Sequence, residues 1–206
     1  GSTGVVTVAD GTLLDREASA SHNITVRASS ADGSFDTAVM TINVTDVDEF
    51  DVTVPTDADA TTNEVDENVV VGTTVGITAD AFDLDATNTT ISYSLPSNPD
   101  GLFQIDSGTG QVTTAASIDR EAHGATRSIT VQAQSSDGSI QTQVFNITIN
   151  DLDELDVDVV SDSDGATNEI AENATVGTTV GITADALDLD ATNNTISYSL
   201  TSNPDG

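Results

Sequence analysis

The stretch VGTTVGITADAFDLDATNTTISYSL spans residues 71–95 and recurs at residues 176–200 as VGTTVGITADALDLDATNNTISYSL. Only two positions differ, Phe82 against Leu187 and Thr89 against Asn194, and the offset is 105 residues. Near-identity at a fixed spacing is the signature of tandem structural repeats. The stretch therefore sets the repeat length and predicts that one folded unit occupies about 105 residues.

The sequence on either side repeats with nearly the same period. LLDRE at residues 13–17 corresponds to SIDRE at residues 117–121, and SADGS at residues 30–34 corresponds to SSDGS at residues 135–139. These matches place the two ends of the chain in different repeats. We therefore predict three segments: the C-terminal half of one repeat at residues 1–50, a complete repeat at 51–155, and the N-terminal half of the next at 156–206.

Short alternating or β-branched runs within the complete repeat predict strands. These runs are Thr74–Ala79, Ile91–Leu95, Gln111–Thr114, Ile129–Ala133 and Ile140–Ile149. Turn sequences such as NPDG and SGTG separate them, and no helical period of useful length is present. About seven short strands in roughly 100 residues indicate an all-β, immunoglobulin-like Greek-key sandwich. Short junctions between such units favour a rod of tandem sandwiches.

The net charge of the chain excludes several classes of partner. The 206 residues include 35 acidic and 4 basic side chains, giving a formal charge of −31. Nucleic acid and anionic membranes are excluded as direct partners by repulsion. No apolar run of about 18 residues predicts a membrane span, and no signal peptide opens the sequence, so we expect any export signal to lie outside it. With no cysteine for disulfides, bound calcium is the natural way to neutralise and hold clustered carboxylates.

Short motifs follow one another in an order that resembles cadherin repeats, over essentially the whole chain. They are Glu67-Asn68, Asp83-Leu84-Asp85 followed by Asn88, Thr109-Gly110, Asp119-Arg120-Glu121 and Asp151-Leu152-Asp153-Glu154. The resemblance implies a calcium cluster at each junction between repeats. Calcium accepts six to eight oxygen ligands in irregular geometry. Spacing by two also places both carboxylates of each Asp-x-Asp or Asp-x-Glu pair on one side of an extended segment.

Carried over by position, the resemblance implies a ligand set for each junction. For the first junction, the predicted ligands are Asp15, Glu17, Asp46, Asp48 and Glu49 from one repeat, met by Asp83, Asp85 and Asn88 from the next. For the second junction, they are Glu67, Asp119, Glu121, Asp151, Asp153 and Glu154, met by Asp188, Asp190 and Asn193. Glu172, the opening glutamate of the third segment, completes the predicted set.

Two departures from the family pattern affect the expected number of ions. The linker that often ends in asparagine in cadherins ends here in Phe50 or Leu155, and a later Ala-x-Asp-x-Gly motif has Ser135 in place of the aspartate. These changes predict fewer than the three ions typical of the family, or an altered arrangement. Asp137, in the following Asp-Gly turn, is interpreted as a solvated turn residue rather than a ligand.

Repeats of near-identical sequence favour a structural function. We expect calcium-rigidified extender repeats in the stalk of a secreted bacterial surface adhesin of the RTX type, outside the cell and attached to its surface, with roles in adhesion or biofilm. The alternative is a carbohydrate- or protein-binding module, either homophilic or accessory to a secreted enzyme. The chain has no tryptophan and only 3% aromatic residues, which disfavours both forms. An enzyme is not expected, because the carboxylate pairs recur at every junction as a metal site requires.

The half, whole, half layout predicts the partners. Neighbouring repeats of the same chain contact each other at the junctions. A half sandwich on its own exposes apolar strand residues such as Ile24, Met40 and Ile42 together with unpaired edges. The prediction is therefore that the front half of one molecule completes the back half of the next, giving head-to-tail self-association.

Overall fold

Two four-stranded sheets form between Thr56 and Asn150 in a computed structural model that describes residues 3–203. Residues 1–2 and 204–206, at the outer ends of the two predicted half repeats, lie outside the described residues. The strands before and within this region are β1 (Ser21–Ser29), β2 (Phe35–Asn43), β3 (Thr56–Asp57), β4 (Glu64–Asp66), β5 (Thr74–Asp80), β6 (Ile91–Ser97), β7 (Phe103–Ile105), β8 (Gln111–Thr114), β9 (Thr126–Ser135) and β10 (Ile140–Asn150). β11 (Ser161–Asp162) and β12 (Ala184–Asp185) follow. The only α-helix of the described residues is the single turn α1 (Arg120–His123), and short 3-10 turns lie at Gly11–Leu13 and Pro99–Gly101.

The complete repeat has the connectivity of a Greek-key sandwich. One sheet has the order β4-β10-β9-β6 and the other β3-β5-β8-β7. The opening segment contributes β3 to one sheet and then β4 to the other, where β4 lies parallel to β10. All five runs predicted as strands lie within β5, β6, β8, β9 and β10, and the predicted all-β sandwich is confirmed.

Alternation along the strands builds the core between the two sheets. Ile129, Val131 and Ala133 of β9 are buried, as are Val75 and Ile77 of β5. Residues between them face outward, as the period of two in a strand requires. The sandwich therefore has a continuous apolar interior, and its acidic motifs are left to the loops at its two ends.

The described part of the first segment forms a hairpin with the register of the complete repeat. Ile24 of β1 pairs with Met40 of β2, as Ile129 of β9 pairs with Phe145 of β10. Met40 is 50% exposed, whereas Phe145 is 9% exposed. The same strand pair is therefore formed in both places, but only the complete repeat covers its apolar face.

The third segment has little regular structure, because its strand partners come from a back half. In the complete repeat, β5 pairs with β8 and β6 pairs with β9. Residues 156–203 repeat the sequence of β5 and β6 without those partners, and form only the two-residue strands β11 and β12. The expected opening strands are therefore present only in part. Within residues 3–203, no helix has the length and apolar character needed to cross a membrane.

Candidate metal centres at the two junctions

Glu67 follows β4 directly and lies at the end of the sandwich that faces the second junction. Its side chain is fully buried, at 0% exposure. The backbone N–H of Arg120 donates to Glu67 Oε2 at 2.5 Å, and that of Leu152 donates to Oε1 at 2.7 Å. The carboxylate therefore ties together the opening, α1 and the linker.

The Asp119-Arg120-Glu121 motif adopts a helical turn, which corrects the expected extended geometry. Asp119 is the N-cap of α1, and its Oδ1 accepts the backbone N–H of Ala122 at 2.7 Å. An aspartate at this position satisfies a helical N–H that otherwise lacks a partner. Glu121 in the turn offers an oxygen that lies within 4.8 Å of oxygens of Glu67 and Asp151. In this motif, Asp119 therefore caps the helical turn and Glu121 joins the carboxylate cluster.

Asp151 provides the test of whether this cluster suits a cation. Its side chain is only 7% exposed, and its buried Oδ1 has no hydrogen-bond partner. Arg120 Nε lies 3.6 Å from that oxygen, and the Arg120 guanidinium also donates to the backbone oxygen of Ile149. Arg120 is paired with one carboxylate of a cluster of three, so uncompensated negative charge remains. Calcium binds such all-oxygen donor sets, and these residues fit it.

Residues of the third segment close the second junction from the opposite side. The backbone N–H of Ala191 donates to Glu121 Oε1 at 2.8 Å, and the Thr192 hydroxyl donates to Asp151 Oδ2. Asp190, at 3% exposure, accepts the backbone N–H of Leu155 at 3.1 Å. The carboxylates of each side are therefore joined to the backbone or hydroxyl groups of the other.

The first junction repeats these contacts at equivalent positions. The backbone N–H of Ala86 donates to Glu17 Oε1 at 3.0 Å, and the Thr87 hydroxyl donates to Asp46 Oδ2. Asp85, at 7% exposure, accepts the backbone N–H of Phe50 at 3.2 Å. Asp46 Oδ1 is buried without a hydrogen-bond partner, as is its counterpart at Asp151. Both junctions are thus built to one plan.

A second carboxylate cluster lies at the first junction, between the linker and the complete repeat. Asp48, Asp85 and Asp137 each place an oxygen within 4.8 Å of the others. The Ser135 hydroxyl oxygen lies 2.5 Å from Asp83 Oδ2 and 2.9 Å from the backbone oxygen of Asn88, so its single proton is shared between two acceptors. Asp137 is interpreted from sequence as a solvated turn former; it does form the turn, by accepting the N–H of Ser139, and it is half-buried beside Asp48 and Asp85. The sign of this grouping in the sequence is that Asp137 lies two residues after Ser135, the position where the family pattern has an aspartate.

Burial, together with neighbouring acidic side chains, raises the pKa of linker carboxylates at both junctions. Burial and then the charge of Asp137 raise the pKa of Asp48. Burial followed by Glu17 raises the pKa of Glu49. The side chain and charge of Asp190 raise the pKa of Asp153, while burial with nearby acidic residues raises the pKa of Glu154. The positive charge of a bound cation would offset this repulsion and so favour the ionised form of each carboxylate.

The other predicted ligands do not enter either three-carboxylate cluster. Asn88 and Asn193 have left-handed backbones, at φ 58 and 57, after the two Asp-x-Asp motifs. Asp15 accepts the N–H of Ala18, as Asp119 accepts that of Ala122. Asp188 accepts the N–H of Asp190 at 3.2 Å, and Glu172 is exposed in the third segment. Their ligation stays a prediction.

Comparisons with known proteins agree with this architecture. Residues 61–151 match the family model described as "Cadherin domain". Human Cadherin-7 is 36% identical over 151 residues, covering 68% of this chain and 19% of the relative. Cadherin-20 of Xenopus laevis is 35% identical over 161 residues, covering 73% of this chain and 20% of the relative. The chain thus spans about a fifth of the length of these relatives.

Solved structures show the same tandem arrangement of β-sandwiches. The Protocadherin GammaB4 extracellular domain superposes with a TM-score of 0.70 at 25% identity, covering 86% of this chain and 28% of that one. Mouse Cadherin-23 EC22-24 gives a TM-score of 0.64 at 24% identity, covering 85% and 56%. Fold and junctions therefore define an all-β protein similar to tandem cadherin extracellular domains. Residues 61–151 match the cadherin domain model, and the chain is similar to cadherins over about two thirds of its own length.

Proposed function

We propose that both junctions bind calcium and that the bound ions turn the connection between repeats into a stiff joint. The observation that carries this proposal is a buried oxygen of Asp151 that has no hydrogen-bond partner, in a cluster with Glu67 and Glu121. Burying a carboxylate without full compensation is costly. A divalent cation supplies the missing positive charge and joins carboxylates that otherwise repel one another. We propose the eighteen residues named from the sequence as candidate ligands of the ions at the junctions between repeats.

The residues of the chain hold the joint in register. Glu121 accepts the backbone N–H of Ala191, and Asp190 accepts that of Leu155. Each side of the junction therefore contributes a carboxylate that is hydrogen-bonded to the other side. Every one of these acceptors is a carboxylate, so the same atoms that align the repeats also concentrate negative charge. Without a cation, that charge pushes the two sides apart. With a bound cation, the carboxylates of both sides are attracted to the ion, and the two sides are held together.

On this basis we propose that residues 1–50, 51–155 and 156–206 are successive units of the extended stalk of an extracellular adhesin. Near-identity between neighbouring repeats supports a role in adding length, because it preserves one joint geometry along an array. A non-enzymatic, adhesion-type role agrees with the cadherin relatives. We place the stalk in a secreted bacterial adhesin of the RTX type, on the strength of the absence of lysine and the strongly acidic composition. Nonapeptide calcium repeats in the parent sequence would support that origin.

Head-to-tail pairing of the half repeats is a further part of the proposal. The β1–β2 hairpin leaves Met40 and Ile42 at least 41% exposed, and residues 156–203 carry the sequence of the opening strands of the complete repeat, where the counterparts of these two residues are buried. A second copy offers those strands to the hairpin. Such a contact does not close on itself, so chains of molecules result. Light scattering over a range of concentrations tests it, and a species that stays monomeric with both halves protected from hydrogen exchange would contradict it.

Calorimetry and small-angle scattering of the 206-residue chain test calcium binding and stiffening. At free calcium 100 times the dissociation constant, one site adds about 2.7 kcal/mol to the free energy of unfolding. That gain corresponds to a rise in Tm of roughly 5–10 °C for a protein of this size. Scattering should show a longer maximum dimension in calcium than in chelator, and magnesium should substitute poorly because it requires octahedral geometry. Identical melting and scattering in calcium and chelator would exclude the proposal.

A further inference from the structure

A threonine hydroxyl connects the two repeats that meet at the first junction. Thr87, in the loop that follows Asp83-Leu84-Asp85, donates to Oδ2 of Asp46 in the preceding linker. The backbone N–H of the neighbouring residue, Ala86, donates to Glu17 Oε1 at 3.0 Å. Two adjacent donors of the complete repeat are thereby hydrogen-bonded to two carboxylates of the first segment.

The second junction has the same two bonds, with donors 105 residues further along the chain. Thr192 donates to Asp151 Oδ2, and the backbone N–H of Ala191 donates to Glu121 Oε1 at 2.8 Å. At both junctions the threonine bonds Oδ2 of an aspartate whose Oδ1 is buried without a hydrogen-bond partner. Recurrence at two separate junctions indicates a feature of the repeat rather than a chance contact.

The hydroxyl restricts the aspartate that it contacts. A carboxylate that accepts a hydrogen bond at Oδ2 loses rotational freedom, so its Oδ1 is held in one direction. Asp46 is half-buried, whereas Thr87 is exposed, so the bond ties a linker side chain to a loop that is otherwise open to solvent. A hydroxyl adds no charge, and its proton reaches the carboxylate without the help of a metal ion.

We propose that Thr87 and Thr192 are positioning residues, whose hydroxyls hold each following repeat in register against the linker by a bond that does not depend on a metal ion. The inference rests on the proposed calcium binding only where calcium affinity is concerned. Hydrogen bonds from a hydroxyl to a carboxylate are stronger than those between neutral groups, so the bond opposes the repulsion between the acidic sides of the junction. Two separate contributions therefore hold each junction: hydrogen bonds between protein atoms, and the proposed ion.

Distance measurements across the first junction of the 206-residue chain test this role. The chain has no cysteine, so spin labels at Thr37→Cys and Thr142→Cys, exposed and equivalent positions of β2 and β10, report only on the two repeats. Loss of a hydrogen bond to a charged group shifts the equilibrium between the registered and the open junction by about tenfold or more. In chelator, Thr87→Val should therefore broaden the distance distribution relative to the labelled wild-type chain. In saturating calcium, both chains should give the same narrow distribution.

Two further variants and a titration serve as controls. Thr87→Ser retains the hydroxyl and should keep the wild-type distribution in chelator. Thr89→Val changes an exposed residue of the same loop, at a position where the next repeat has Asn194, and should also keep it. By calcium titration calorimetry, Thr87→Val should bind the wild-type number of ions with about tenfold weaker affinity at one junction, because the hydroxyl orients a ligand candidate without being one.

The outcomes separate this inference from the calcium proposal. Equal distributions for Thr87→Val and the wild-type chain in chelator would overturn the role of Thr87, as would equal broadening by Thr89→Val or a failure of Thr87→Ser to restore the wild-type distribution. A reduced number of ions in Thr87→Val would overturn it too, because the hydroxyl would then be a ligand. A wild-type chain that binds no calcium, but whose distribution is broadened by Thr87→Val, would overturn calcium binding and leave the positioning role standing.

Discussion

Glu67 accepts the backbone N–H of Leu152 at 2.7 Å, so a carboxylate at the start of the sandwich holds the segment through which the chain leaves it. The bond joins positions 85 residues apart in sequence. Because the same side chain also accepts the N–H of Arg120 and shares a cluster with Asp151, folding of the sandwich and assembly of the metal centre depend on one residue. The proposed calcium binding is therefore expected to be coupled to folding, as where a site forms only in the native state.

Glu67→Gln should destabilise the complete repeat. Both neighbours of the carboxylate are N–H donors, and an amide offers only one acceptor atom, so one buried N–H is left poorly satisfied. We expect a loss of about 1–3 kcal/mol in the free energy of unfolding without calcium, and a larger loss with it. Glu172→Gln is the matched control, since this equivalent glutamate is exposed in the third segment. Urea unfolding of both variants measures the difference, and equal midpoints would show that the burial of Glu67 is not important.

Glu121→Gln should weaken calcium binding at the second junction while leaving the sandwich folded. The amide oxygen of the substituted side chain can still accept the N–H of Ala191, but one of three clustered charges is lost. We expect about tenfold weaker binding of at least one ion and a shorter maximum dimension in scattering at limiting calcium. Glu64→Gln, on the exposed side of β4, controls for loss of a surface charge. Reduced binding in both variants alike would indicate a general charge effect rather than a ligand.

The strands and the repeat boundaries could be read from sequence because they depend on local alternation and on a period that spans 105 residues. The helical turn at Arg120–His123 could not, since four residues carry no helical period and the turn is set by the Asp119 cap. The position of Asp137 beside the linker could not be predicted either, for a different reason. Its partners Asp48 and Asp85 are distant in sequence, and only the docking of Ser139 onto Val52 brings the turn to the linker.

Metal-free protein should become more stable as the pH is lowered from neutral toward about 5, near the ordinary range of carboxyl pKa values. Folding raises the pKa of Asp48, Glu49, Asp153 and Glu154, mainly through burial and neighbouring acids. The folded state then binds more protons than the unfolded state, so stability falls as the pH rises through these values. Groups with lowered pKa, such as Asp106, act below pH 3.8 and do not contribute in this range.

Saturating calcium should reverse that dependence, because protons then compete with the ion for the same carboxylates. Thermal melts between pH 7 and 5, in metal-free buffer and in excess calcium, measure the two slopes. We expect Tm to rise on acidification without metal and to fall with it. Slopes of the same sign in both conditions would contradict a shared role of these carboxylates in repulsion and ion binding.

Gly110→Ala should be among the most damaging single changes to the sandwich, although the residue lies far from any charge cluster. Gly110 has φ +72, and a Cβ there would come within 2.1 Å of the backbone oxygen of Ala79. Its own carbonyl accepts the Ala79 N–H at 2.9 Å, which explains why the two backbones approach so closely. A left-handed backbone costs a non-glycine residue about 1–2 kcal/mol, and relief of the overlap adds about 1–3 kcal/mol.

Gly108→Ala, in the same turn, places its Cβ 3.6 Å from Asp106 Oδ1, an ordinary contact, so it should change stability little. Urea midpoints of the two variants, each with and without calcium, test the expectation. A similar small shift for both would mean that the β7–β8 turn moves freely away from β5, and that the Thr109-Gly110 motif does not fix the distance between these strands.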